Sequence, residues 1–111
     1  MRQTTSELMF AYGSNLSFDA MQYRAPDAVP VAPARLDGWA IAFRGGVSNI
    51  VEREGGCVEG GVWAITPDDR RALDRYEGAP TFYEPRTLPV QLLTTGTTEK
   101  ALVYVIPGAG D

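Results

Sequence analysis

The apolar positions of this chain come in short bursts separated by glycine, proline and polar turns, so they predict many short elements. Leu8 to Tyr12 is a continuous apolar run that stops at Gly13, the pattern of a buried strand. Phe18, Met21 and Ala25 then recur at helical spacing. Ser14, Asn15 and Ser17 are candidate caps before them, and Pro26 is the stop. Val29 to Ala34 carries two prolines and reads as an irregular or edge strand. Asp37-Gly38 predicts a tight turn before Trp39 to Phe43, and Gly55-Gly56 a turn after a short strand over Ser48 to Arg53. Val58 to Ile65 predicts a central strand.

The clearest helix start is Thr66-Pro67-Asp68-Asp69. Thr66 can cap, proline suits the first helical position, and the two aspartates complement the positive helix end. Ala72, Leu73 and Tyr76 supply its apolar face, Gly78 its end, and Pro80 prevents resumption. Two extended segments follow, Phe82 to Leu93 and Glu99 to Ile106, around a polar turn. The expected fold class is α+β: a small, mixed, mostly antiparallel β-barrel with two short helices, in one domain over residues 1–111.

Composition narrows the chemistry. The chain has no histidine, which removes histidine triads, histidine bases and histidine metal ligands. With Cys57 as the lone cysteine no internal disulfide forms, which suits a reducing compartment. Formal net charge is −4, and the ten basic residues are scattered, so a nucleic-acid face is not expected. No apolar run reaches the roughly 20 residues of a membrane span, and no basic amphipathic helix suggests a membrane surface. The polar start, Met1 to Leu8, does not read as a signal peptide. The expectation is a cytoplasmic protein without cofactor or metal. Glu52, Glu54 and Glu59 match no calcium loop and read as a solvated face.

Three groups remain as candidates. In the turn Tyr12-Gly13-Ser14-Asn15, backbone amides between a strand and a helix can hold an anion, or can simply make a tight turn. Glu77 lies at the C-terminal end of the second helix, where the dipole disfavours negative charge. If it turns toward the apolar side with Leu73, desolvation would raise its pKa as a general base requires; if it faces water, it can pair with Arg75. Tyr83 and Tyr104 can orient a polar ligand or merely pack. Cys57 has no imidazole to activate it.

Together these segments resemble the γ-glutamylcyclotransferase-like family. The resemblance rests on Phe10-Ala11-Tyr12-Gly13-Ser14-Asn15-Leu16, Gly60-Gly61-Val62-Trp63-Ala64-Ile65, Leu73-Asp74-Arg75-Tyr76-Glu77-Gly78, Phe82-Tyr83 and Ala101-Leu102-Val103-Tyr104. It covers nearly the whole chain, in order. It implies a barrel with a cavity at one end and cyclisation of a γ-glutamyl substrate to 5-oxoproline, with release of an amine or amino acid. The resemblance implies Glu77 as the acid/base. It implies Tyr12, Gly13, Ser14, Asn15 and Leu16 as the cavity floor that binds the γ-glutamyl group, with Tyr83 and Tyr104 beside the ligand. Tyr-Gly-Ser-Asn favours the branch acting on γ-glutamyl amino acids over relatives with Tyr-Gly-Thr-Leu. The chain ends seven residues after Tyr104, where longer members continue. The leaving-group side is then expected to be open, or completed by a second subunit in a homodimer. The alternative is a barrel that holds a small anionic metabolite without turning it over.

Overall fold

The structure, a computed structural model, describes residues 6–13, 17–79 and 81–107. Five strands and two helices follow in the order β1 (Glu7–Ala11), α1 (Phe18–Arg24), β2 (Val29–Arg44), β3 (Val47–Ile65), α2 (Pro67–Glu77), β4 (Glu84–Leu92) and β5 (Thr98–Val105). The strands close into a barrel in the order β1-β3-β2-β4-β5. All pairings are antiparallel except the one that closes the barrel, where β1 runs parallel to β5 with Met9 opposite Leu102. The expected mixed barrel with two short helices is therefore the observed one.

Alternation along the strands sorts the core into two clusters. Phe10 and Tyr12 join Leu36, Val58, Val62, Val90, Val103 and Val105 in one. Met9 and Ala11 join Trp63, Leu102 and Tyr104 in the other, against Met21 of α1 and Leu73 of α2. The last residues of β1 are therefore buried on both faces, which is why that segment reads as an unbroken apolar run.

Both helices carry the expected caps. Ser17 caps α1 by accepting the Ala20 N–H at 3.3 Å. Thr66 and Asp69 form a reciprocal capping box on α2, with bonds of 3.1 Å each way. Gly78 closes α2 in the left-handed conformation at φ 71°. Tyr76, expected on the apolar face, is instead exposed, and the Arg24 guanidinium lies 3.7 Å from its ring centre.

The strand boundaries between residues 29 and 65 differ from expectation. Asp37-Gly38 and Gly55-Gly56 are not turns. They face each other inside one long β2–β3 hairpin, where the register passes from Asp37 opposite Cys57 to Trp39 opposite Glu52. Residues 53–56 thus oppose Gly38 alone, and this bulge absorbs both glycine pairs. The actual turn is Gly45-Gly46, both at positive φ (59° and 86°), the requirement of a tight two-residue hairpin loop. Cys57 is exposed on the hairpin, as are Glu52, Glu54 and Glu59. Among the described residues, no helix is long and apolar enough to cross a membrane.

Candidate active site

A cavity opens where β1 ends, against the C-terminus of α2. Met9 to Tyr12, Ser48, Glu77, Tyr83 and Tyr104 line it. The structure thus brings together four residues singled out from the sequence: Tyr12, Glu77, Tyr83 and Tyr104. Gly13 follows at the cavity's edge. Ser14, Asn15 and Leu16, the rest of the proposed floor, lie outside the described residues.

Glu77 reaches the cavity because of its place on α2. Leu73, four residues back and on the same face, is fully buried, so the helix turns its last glutamate inward. Glu77 is 9% exposed. The helix ends immediately after it, and the chain folds back: the Ala79 N–H bonds the Asp74 carbonyl at 2.8 Å, and the Tyr83 N–H bonds the Glu77 carbonyl at 3.3 Å. That return loop carries Tyr83 to the cavity wall.

Each of the three tyrosine hydroxyls donates its proton to the protein. Tyr12 donates to the Tyr104 carbonyl. Tyr83 donates to the Ser48 carbonyl at 2.7 Å. Tyr104 donates to Asp74 Oδ1 at 2.6 Å. Their remaining hydrogen-bonding capacity is therefore that of acceptors. Burial pushes the pKa of all three up. The Asp74 hydrogen bond adds to the rise at Tyr104, and the Glu77 charge adds at each. They are neutral at ordinary working pH.

This has a consequence for stability. An unfolded tyrosine ionises near pH 10, whereas these three hold their protons beyond it in the folded state. Above about pH 10 the unfolded chain binds fewer protons than the folded one, so stability present in full below that pH is lost as pH rises. The denaturation midpoint is expected to fall with rising pH in that range. In a spectrophotometric titration, three of the five tyrosines should ionise only as the protein unfolds.

Sequence reasoning did not single out Asp74 or Ser48. Asp74 sits one turn before Glu77 and links the cavity to the surface. Arg70 Nε donates to both its oxygens at 3.1 and 3.3 Å, and another Arg70 nitrogen donates to Glu7 at 3.0 Å. These pairs raise the Arg70 pKa against its partial desolvation. Asp74 lay within the quoted motif Leu73 to Gly78, and its spacing of three residues from Glu77 was the available signal. Ser48 carried no such signal, because it acts through its backbone carbonyl and through contact.

That contact explains Gly13, whose φ of 66° suits glycine. A Cβ there would also lie 2.2 Å from Ser48 Oγ. Gly13→Ala is expected to cost roughly 2–3 kcal/mol by chemical denaturation, from left-handed strain plus the clash. Adding Ser48→Gly should return the clash component and leave the strain. Equal stability of Gly13→Ala and wild type would refute this account of the turn.

A closed five-stranded barrel with a carboxylate and three tyrosines in a cavity at the end of its first strand defines a class of small α+β protein with a polar ligand site. Comparison with known proteins supplies the family. Residues 9–111 match the family model described as γ-glutamyl cyclotransferase, AIG2-like, and the chain belongs to that family. It is 36% identical over 84 residues to γ-glutamylcyclotransferase of Bos taurus, a match covering 66% of this chain and 45% of the bovine protein. The Homo sapiens γ-glutamylcyclotransferase is 33% identical over 84 residues, with the same coverage. The chain thus spans a little under half the length of these relatives. Among solved structures, one of a γ-glutamyl cyclotransferase superposes with a TM-score of 0.85 at 27% identity, over 92% of this chain and 67% of the other. A solution structure from Arabidopsis thaliana gives 0.81 at 25% identity, over 100% of this chain and 69% of the other.

Proposed function

We propose that this chain cyclises the γ-glutamyl group of a small amide, releasing 5-oxoproline and an amine or amino acid, with Glu77 as general acid/base. The observation that carries this reading is a buried glutamate sharing one cavity with three tyrosines whose hydroxyls already donate within the protein. Such a site suits a ligand that presents an amine, because acceptors and a carboxylate both favour N–H groups.

The chemistry needs no enzyme nucleophile. The substrate's α-amine attacks its own γ-carbonyl and forms the new C–N bond of a five-membered lactam. Glu77 takes the proton that the amine loses. It returns that proton to the leaving nitrogen as the original amide C–N bond breaks. Holding the γ-glutamyl chain folded in attack geometry supplies much of the acceleration, since effective molarities for such closures reach about 10⁵–10⁸ M. The tyrosine hydroxyls already donate elsewhere, so they are not the natural donors to the tetrahedral oxyanion. Backbone N–H groups around Gly13 to Asn15 are assigned that task, together with holding the α-carboxylate. Tyr12, Tyr83 and Tyr104 orient the amine.

Incubation with γ-glutamyl amino acids, γ-glutamyl amines and glutathione, read by mass spectrometry, tests the proposal. At least one member should yield 5-oxoproline and free amine in equal amounts. A folded protein that turns over none of them would refute it.

A further inference from the structure

Two large exposed aromatic residues neighbour residues that line this cavity, and the chemistry above does not use them. Phe43 is 73% exposed and Phe82 49% exposed. Phe43 is directly opposite Ser48 in the β2–β3 register. Paired residues of an antiparallel ladder project from the same face, so Phe43 shares the face of a residue that lines the cavity. Ile41, two residues away on that same face, is also exposed.

Phe82 immediately precedes Tyr83, another lining residue. Its N–H bonds the carbonyl of Gly78, the residue after Glu77, at 2.8 Å. Its ring meets the Tyr83 ring edge-on, with centroids 5.1 Å apart. Each phenylalanine thus adjoins a lining residue, Phe43 through its pairing with Ser48 and Phe82 through its ring contact with Tyr83, and those two lining residues are joined by a hydrogen bond.

The cavity is small, about 30 Å³. A γ-glutamyl amide is larger than that, so one bound with its γ-carbonyl at Glu77 extends its leaving group past the rim. Among the described lining residues the one formal charge is that of Glu77, which opposes a further, side-chain carboxylate on the leaving group.

We infer that the site selects γ-glutamyl amides whose leaving group carries an aromatic or branched aliphatic side chain, docked between Phe43 and Phe82. This rests on the cyclisation reading and specifies its substrate class. Covering part of each exposed ring with an apolar group gives discrimination of about tenfold or more per ring, the scale of apolar recognition in enzyme pockets.

The test compares kcat/KM for 5-oxoproline release from γ-glutamylphenylalanine, γ-glutamylleucine, γ-glutamylglycine, γ-glutamylglutamate and glutathione. The first two should exceed γ-glutamylglycine and glutathione by at least about tenfold, with γ-glutamylglutamate lower still. Phe43→Ser and Phe82→Ser should each reduce the phenylalanine-to-glycine ratio by about tenfold. Val31→Ser, an exposed apolar change at the start of β2, should leave that ratio unaltered. Thermal melts confirm that each variant is folded. Turnover of the glycine, glutamate or glutathione substrates at equal or higher efficiency would overturn the inference while leaving cyclisation standing. So would an unchanged ratio in both phenylalanine variants. Absence of 5-oxoproline from every substrate would overturn both.

Discussion

Replacing Glu77 with glutamine should lower kcat for 5-oxoproline formation by about 10²–10⁴-fold, the range of one positioned proton-transfer group. Glutamine is close in size and keeps hydrogen-bonding capacity, so the cavity walled by Tyr12, Tyr83 and Tyr104 should survive. What is lost is the ability to take the amine proton and hand it to the leaving nitrogen. Binding should behave oppositely. Removing a negative charge from a small cavity relieves repulsion with the 5-oxoproline carboxylate, so calorimetric affinity for that product should hold or improve. The split between rate and affinity also separates the enzyme from a metabolite-binding barrel, for which the variant has no rate to lose. Full turnover by Glu77→Gln would remove the glutamate from the mechanism.

Gly60→Ala should be the most destabilising of the conservative glycine changes, at roughly 2–4 kcal/mol. A Cβ at Gly60 would lie 2.2 Å from the Ala11 carbonyl oxygen and 2.9 Å from the Phe10 ring. The first obstacle is backbone in the barrel strand that ends at Ala11, so a rotamer change cannot relieve it. Accommodation requires moving β1, and with it the cavity floor. Gly96→Ala provides the comparison. That glycine has φ of 77° but open space around its Cβ position, so it should cost only the left-handed strain of about 1–2 kcal/mol. Denaturant midpoints decide between them. Similar losses for the two variants would mean that the β1–β3 approach is looser than these distances state.

How much of this was legible in the sequence depends on the scale of the signal. Local signals read true. Thr66, Pro67, Asp69 and Gly78 bound α2 as caps should, because capping is settled within a few residues. Within the run Leu8 to Tyr12, Met9 to Ala11 are strand buried on both faces, as the lack of alternation suggests. Turn chemistry misled over residues 37–56. Asp37-Gly38, Gly45-Gly46 and Gly55-Gly56 are equally turn-like in isolation. Only cross-strand register decides that the middle pair turns the chain while the others meet in a bulge.

The site was legible in a different way. Position alone left Glu77 divided between an inward base and a solvated helix end, and the tyrosines between packing and function. The resemblance favoured the first reading; the structure places Glu77 inward with Tyr12, Tyr83 and Tyr104, and its role as base is the proposal built on that placement. Family membership then follows from the match over residues 9–111. Ser48 was not legible, since a serine on a strand gives no hint that its carbonyl will anchor a tyrosine 35 residues away. Phe43 and Phe82 were legible only as apolar strand residues. Their exposure is a tertiary fact.

The most direct test of the central claim is the fate of water oxygen. In ¹⁸O-labelled water, attack by the substrate's own amine predicts unlabelled 5-oxoproline, equal in amount to the amine released, with no glutamate. Labelled glutamate as the product would mean that water is the nucleophile, and would contradict cyclisation at this site.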